Sequence, residues 1–460
     1  MKITNKIILG ALLAPALLSL SSCGIYTKYH TPDNTALTAE YANARQAGPD
    51  QNAFGNLLWE NVFTDPILAG YINQALANNT SLRNAQLNID IAHAQLKGAN
   101  LAFFPSLALS PNGAGSSVAG SKMSWTYALP LQASWEVDIF GKLRNSRKSA
   151  QAALYQSESY AQAVRSQIIS GVATCYYSIA SVKQQLKLYR NTSELWKESV
   201  EIMKNMKEAG RTTEAAVVQS TANYYSILAG ITDLEVSLTQ LQNTMSLLLN
   251  VMPQEWEVSE NAQLAEPSFL TKGVSMECLA FRPDVAAAEM SLASAFYATN
   301  TARSNFYPSL TISAQGSFTN LLGSIIKNPG EWVYNLAGSL TAPLFSRGAN
   351  ISRLEAAKAQ QQQALNTFEQ TLLSAGKEVS DYLMTYDKAV EKTAFIELQV
   401  ANLEKSVDYT HDIFVYGDGT YLEVITAQQS LLSAQMSELS NQLTRTQSII
   451  SLYQAMGGGR

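Results

Sequence analysis

From Trp125 to Val137 the large apolar side chains hold every second position: Trp125, Tyr127, Leu129, Leu131, Ala133, Trp135 and Val137 alternate with Thr126, Ala128, Pro130, Gln132, Ser134 and Glu136. A period of two is that of a β-strand with unlike faces. Aromatics stand near both ends of the run, as in strands that cross an outer membrane. The preceding "FFPSLALS" supplies a partner strand, and the pattern returns as Leu310, Ile312, Ala314, Gly316 and Phe318, then Trp332, Tyr334, Leu336, Gly338 and Leu340. Between the paired strands, 111–122 ("PNGAGSSVAGSK") and 319–331 ("TNLLGSIIKNPGE") read as loops. A soluble sheet with one wet face carries the same alternation, so the pattern alone leaves both readings open.

After Gly141 the rhythm changes. From Lys142 to Lys207 there is no proline and only Gly171 interrupts, which predicts a helix on the order of 100 Å long at about 1.5 Å per residue. Val164, Ile168, Val172, Cys175, Ile179, Val182 and Leu186 fall three or four apart, close to the repeat of coiled-coil packing. Leu365, Phe368, Leu372, Ala375, Val379, Leu383, Tyr386 and Val390 repeat this. The positions between are rich in Gln, Ser, Asn and Ala, as expected of helices that touch neighbours along narrow seams. A plain coiled-coil rod fits these segments but leaves the aromatic strands unexplained.

The chain also resembles itself. "FPSL" at Phe104 returns as "YPSL" at Tyr307, "DIFGKLR" around Phe140 as "PLFSRGAN" around Phe345, and "AGRTTEAAVVQS" after Gly210 as "YGDGTYLEVITAQQS" after Gly417. Three landmarks in one order at nearly one spacing predict an internal duplication. Each half reads helix, strand, strand, long helix, helix, with Gly141 and Gly348 at the strand–helix joins. Four strands cannot close a barrel and lipid tolerates no open edge, so a membrane sheet of this size requires other chains.

Composition narrows the partners. The 460 residues are 46% hydrophobic and 15% charged, net charge −5, without an acidic or basic block, which argues against disorder and nucleic-acid binding. Lys2 and Lys6 precede an apolar run from Ile7 to Leu20, too short to span a bilayer and laid out as a secretory signal. It ends in Leu20, Ser21, Ser22 and Cys23, the pattern of a bacterial lipobox, which predicts acylation of Cys23 after removal of 1–22; an ordinary cleavage site with a chance cysteine is the alternative. Cys175 and Cys278 read as buried thiols. His30, His93 and His411 are scattered, and no Cys/His/carboxylate cluster has metal-ligand spacing. No cofactor, metal site or catalytic constellation is expected, beyond the lipid on Cys23.

Together with "YHTP" (29–32), "WENVFTDPILAGYINQALANNTSL" (59–82), "SWEVDIFGKLR", and "LAFRPDVAAAEMSLASA" followed by "ARSNFYPSL", these features resemble the outer-membrane factors of tripartite efflux pumps. They are most similar to the lipoprotein branch of these TolC-like proteins that serves resistance-nodulation-division transporters. The resemblance covers nearly the whole mature chain. It implies a mixed, mainly α fold: a homotrimer pooling four strands per protomer into one outer-membrane β-barrel, continued by a long periplasmic α-helical barrel. The partners implied are a periplasmic adaptor, an inner-membrane transporter and outer-membrane lipid, and the function is a passive exit duct for drugs or other toxic small molecules. A type I secretion channel and a non-channel periplasmic scaffold are the other readings.

The expected organisation is signal peptide 1–22, lipidated segment 23–65, first repeat 66–250, equatorial segment 251–281, second repeat 282–455 and a flexible tail 456–460. The resemblance puts a periplasmic gate near Gly210 and Gly417. Glu423 matches a position often acidic in the family and is the candidate constriction or link residue, with Asp418, Arg211 and Glu214 as candidates for ion pairs between hairpins; each also reads as a solvated turn charge. Thr426 and Ala216 stand where the family is often acidic, and Phe414 where a tyrosine stands in TolC, which predicts a less charged latch.

Overall fold

A computed structural model describes residues 26–33, 35–47, 54–117, 119–120, 122–260, 262, 264–265, 277–321, 331–344, 346–417 and 419–459. The signal segment, Cys23 and Asp418 lie outside these residues. The elements are α1 (Ala36–Ala47), α2 (Trp59–Val62), α3 (Pro66–Asn78), α4 (Thr80–Leu101), β1 (Ser106–Leu109), β2 (Asn112–Ser116), β3 (Ser124–Val137), α5 (Lys142–Glu208), α6 (Glu214–Leu248), α7 (Glu277–Ala280), α8 (Pro283–Ser304), β4 (Ser309–Leu321), β5 (Glu331–Thr341), α9 (Ala349–Tyr416) and α10 (Tyr421–Ala455). The order from α4 to α6 recurs from α8 to α10. No described helix is long and apolar enough to cross a membrane.

The chain forms two compact units, one holding Leu87–Glu158 and Ala287–Glu369 with the N-terminal arm, the other Asp33–Gln86, Ser159–Ala286 and Gln370–Arg460. The first contains the sheet. Its strands are antiparallel: β3 is flanked by β4 on one side and by β1 and β2 in succession on the other, and β5 follows β4. β1 and β2 share one edge of β3, so five segments fill four strand positions. The break falls at Ser110 and Pro111, where proline has no N–H to donate.

Two segments expected to be loops are therefore partly strand. Asn112–Ser116 pairs with Ser124–Ala128, and β4 runs on to Leu321, opposite Thr126. Neither Asn-Gly-Ala-Gly-Ser nor Thr-Asn-Leu carries an apolar alternation to read, and both are extended where they pair with β3.

Register decides which side chains share a face, since directly paired residues project together. Leu107 pairs with Ala133, Leu131 with Gly316, Trp135 with Ile312, Val137 with Leu310, Leu310 with Leu340 and Ala314 with Leu336. On the other face Gln132 pairs with Gln315, Ser134 with Ser313 and Gln315 with Asn335. One face is thus mainly apolar along β1, β3, β4 and β5, with β2 adding only Gly113 and Gly115 to it, and the other face is the more polar.

The second unit is built on the seams. Val164, Ile168, Val172, Cys175, Ile179, Val182 and Leu186 of α5 are buried, as are Leu372, Ala375, Val379 and Tyr386 of α9. Val390 leaves the seam: it is exposed while Ala389 and Ile396 are buried, the drift expected when a helix with 3.6 residues per turn carries a repeat near 3.5. Asn441 of α10 fixes the register there, donating to the Ala389 carbonyl at 2.9 Å and to Thr393 Oγ1 at 2.9 Å.

Polar clusters hold the remaining pieces. Arg282, before α8, binds both oxygens of Asp284 (3.0 and 2.7 Å), Glu378 Oε2 of α9 (2.8 Å) and the Ala455 carbonyl at the end of α10 (2.8 Å). Burial alone would lower the pKa of this guanidinium, but the carboxylates of Asp284 and Glu378 outweigh it and raise it. Residues 456–459 do not form the flexible tail expected of 456–460. Residues 456–459 are buried, and the Gly459 carbonyl accepts from Gln162 Nε2 (2.9 Å) and Arg165 Nε (3.0 Å), while its N–H donates to the Tyr453 hydroxyl (2.9 Å). Glycine is what fits there, since a Cβ on Gly459 would lie 2.8 Å from Ser166 Cα.

Candidate functional site

The two features that bear on transport are the hairpin turns of the second unit and the strand–helix joins of the first. The α5–α6 turn is closed by a glycine cap: Gly210 has φ 69°, its N–H donates to the Lys207 carbonyl, and Arg211 N–H reaches back to Met206 at 2.8 Å. That positive φ suits the residue without a Cβ. Thr213 then caps α6, its side chain accepting from Ala216 N–H at 3.3 Å. The α9–α10 turn closes through Gly417 N–H and Gly419 N–H, both directed at the Ile413 carbonyl.

The charged candidates are placed as follows. Arg211, Glu214, Glu423 and Thr426 are all exposed. Glu214 pairs with Lys207, so its partner lies on its own hairpin and not on the α9–α10 turn, the acid having stayed within reach of the last basic residue of α5. Glu423 is the third residue of α10, and its carboxylate accepts from the Thr420 N–H at 3.2 Å. The same side chain is therefore a helix cap as well as an exposed negative charge. Thr426 turns inward on its own helix, donating to the Leu422 carbonyl at 2.7 Å.

What joins the two hairpins is apolar. Trp196 and Met203 of α5, Val217 of α6, and Tyr421, Val424 and Ile425 of α10 form one buried cluster, with Met206, Ala216, Tyr224 and Phe414 packed against it. The Phe414 and Tyr421 rings are 5.2 Å apart. Burial pushes the Tyr421 phenol up, opposed by Ser199 and Ser220 beside its hydroxyl. Sequence reasoning did not find this cluster, although its signal is present: beyond Leu186 the seam continues through Tyr189, Ser193, Trp196, Val200 and Met203 at alternating steps of three and four.

At the joins, Gly141 (φ 73°) and Gly348 (φ 79°) stand directly before α5 and α9, and Asn145 and Ser352 N–H donate to their carbonyls, both at 2.9 Å. Asp138 accepts from Leu143 and Arg144 N–H at 3.0 and 2.9 Å and so starts α5. Among the described residues no group of three or more His, Cys, Asp or Glu is placed to hold a metal ion. Burial pushes the Cys175 thiol up to about 11; the Cys278 side chain lies outside what is described.

Comparison with known proteins gives one answer. The family model for outer membrane efflux proteins matches residues 71–251 and 274–458. The probable outer membrane lipoprotein SilC of Salmonella typhimurium is 29% identical over 419 residues, covering 89% of this chain and 90% of its own. The cation efflux system protein CusC of Escherichia coli K12 is 27% identical over 453 residues, covering 96% and 97%. A solved structure of CusC superposes with a TM-score of 0.82 at 25% identity over 94% of this chain and 98% of that one. The open state of the MtrE outer membrane channel of Neisseria gonorrhoeae gives 0.76 at 26% identity, over 90% and 94%. With a two-faced sheet, duplicated long hairpins and a family match over most of its length, the chain belongs to the outer membrane efflux protein family and acts in the outer membrane as an efflux channel protein.

Proposed function

We propose that three copies assemble into the passive exit duct of a tripartite pump, fed by a periplasmic adaptor and an inner-membrane transporter of the resistance-nodulation-division class. The observation that carries this reading is the sheet: one face is mainly apolar along β1, β3, β4 and β5, and among the described residues both outer strand positions, β1/β2 and β5, are unpaired on one side. Such a sheet is stable in lipid only when other copies close the ring.

Cys23 is the proposed lipid anchor. The first described residue after it, Tyr26, lies against the join, its ring 3.5 Å from where a Gly141 Cβ would stand.

The cargo is proposed only as toxic small molecules or ions. Relatives of nearly equal similarity carry the names cation efflux, toluene efflux and antibiotic efflux, so the duct does not choose among them. Reconstitution into planar bilayers tests the channel: stepwise conductance and a heat-modifiable oligomer are expected, and a monomer without conductance would overturn the reading. Deleting the gene and measuring susceptibility to metal ions, solvents, dyes and antibiotics identifies the cargo.

A further inference from the structure

The first unit carries a cluster of basic side chains that transport does not use. It surrounds the N-terminal arm at the foot of the sheet. Tyr26 of the arm meets the join at Gly141, with Arg303 and Asp138 near enough to act electrostatically on its phenol. Tyr29 packs on Phe296 and Tyr297 of α8, at 5.6 and 6.3 Å between ring centres. Thr31 donates to Glu289 Oε1 at 2.7 Å.

Beside this arm, Lys148 Nζ lies 5.4 Å from the Tyr297 ring centre. Arg147 Cζ lies 5.6 Å over the ring of Phe103, whose carbonyl accepts from the Trp135 indole at 2.9 Å. Trp135 is on the apolar face of the sheet, near its foot. Trp135, Phe103 and Arg147 thus run in one chain of contacts from the lipid-facing surface to a charge just below it. Phe104, Phe306 and Leu344 are exposed at the same ends of the strands, as the aromatic and apolar girdle of a membrane interface should be.

The nearby acids are already engaged. Asp138 is paired with Arg144 and Glu136 with Lys142 at 2.9 Å, while Glu289 accepts from the neutral Thr31 hydroxyl and remains as one acid against four further basic side chains. Lys28, Arg147, Lys148 and Arg303 are exposed and leave a local excess of positive charge directly below an apolar face. A planar guanidinium and a compact ammonium group, each on an aromatic ring at that depth, suit phosphate oxygens.

We infer that Arg147, Lys148 and Arg303, around the N-terminal arm, form a binding surface for the headgroups of anionic phospholipids in the inner leaflet of the outer membrane. The inference rests on the outer-membrane placement of the sheet, not on the adaptor or the cargo. Neighbouring Lys28, on the arm itself, would add to the same field.

The test uses the mature acylated protein, purified as its oligomer, with native mass spectrometry counting bound dioleoyl phosphatidylglycerol against dioleoyl phosphatidylethanolamine. The expected result is selective retention of phosphatidylglycerol, reduced by about fivefold for each basic residue removed in R147Q, K148Q and R303Q, singly and combined. Lys405→Gln, an exposed lysine of the other unit, should leave retention unchanged. Glycerol 3-phosphate should not compete, because it lacks the acyl chains that hold the phosphate at this depth. Equal uptake of the two lipids, undiminished phosphatidylglycerol on the variants, or equal competition by glycerol 3-phosphate would each overturn the assignment. Should the triple variant fail to assemble, the single variants carry the comparison, and bilayer conductance measured in parallel separates a lost lipid site from a failed channel.

Discussion

At the scale of single residues, Glu423 shows how one side chain can hold two positions in an argument. Its carboxylate caps α10 through the Thr420 N–H, and it is exposed at the hairpin turn, where repeated copies around an axis would favour cations. Two substitutions separate the roles. Glu423→Gln keeps the acceptor and removes the charge, so it should preserve thermal stability while reducing the cation preference of the reconstituted channel. Glu423→Ala loses both and should also cost about 1 kcal/mol of hairpin stability, read as a lower melting temperature. Unchanged ion selectivity in Glu423→Gln would leave Glu423 as a cap alone. The sequence showed the residue and its place in the turn, but not the bond to Thr420. An acid three residues into a helix has the same one-letter pattern whether it caps, repels its copies or meets water. Glu214 illustrates the same limit, since Lys207 and Arg211 both lie within reach in sequence and only coordinates choose Lys207.

Elements are legible where one periodicity governs a long run, and this chain has two such runs in each half. The alternation from Trp125 to Val137 and the seam from Val164 to Leu186 correspond to β3 and to the buried stripe of α5. β2 was not legible because Asn-Gly-Ala-Gly-Ser carries no alternation, and its extended form comes from pairing with β3. The cluster fixing the start of α3 was hidden for another reason: its parts are far apart in sequence. Asp65 caps α3, and its Oδ2 accepts from Tyr176 Oη and Ser259 Oγ, both at 2.7 Å, while Tyr176 Oη itself accepts from the Ser259 N–H at 2.9 Å. Burial alone would raise the Asp65 pKa, but the Ser259 and Tyr176 hydroxyls and the Ile67 and Leu68 N–H groups together hold it below the ordinary carboxylate value. A lowered folded-state pKa stabilises above the unfolded value and ceases to do so as pH falls through the folded one. Tyr176→Phe should therefore cost about 1–3 kcal/mol at pH 7, and its deficit against the parent should narrow below about pH 4 as Asp65 takes up a proton. Thermal melts of both proteins from pH 3 to 7 make the comparison; a deficit constant over that range would detach the tyrosine from the carboxylate.

For the whole molecule the governing observation is that, among the described residues, the two outer strand positions of the sheet each lack a partner on one side. Long helices can lie in water with modest seams, but a strand edge in hydrocarbon leaves backbone groups without partners, at several kcal/mol each. In the proposed trimer, assembly would be demanded by the part of the chain that meets lipid, and the passage from β3 into α5 and from β5 into α9 would carry the helices into the same arrangement. The duplication makes this economical, because each half delivers a two-position sheet and a hairpin, and the Gly141 and Gly348 joins repeat one local solution. The repeated order of elements and the two glycine joins were legible in sequence, since they follow from comparing the halves. Which face meets lipid rests on register, and adjacent residues of β5 test it: Leu336 pairs with Ala314 on the apolar face and Asn335 with Gln315 on the polar one. Leu336→Arg places a charge in hydrocarbon in every copy, at about 2–4 kcal/mol each near the bilayer midplane, and should abolish the heat-modifiable oligomer in outer-membrane fractions. Asn335→Arg, one residue away, should assemble normally and lower cation conductance, because its charge enters the water-filled lumen. The opposite outcome, with Asn335→Arg failing and Leu336→Arg assembling, would reverse the faces and with them the direction in which the sheet must curve to close.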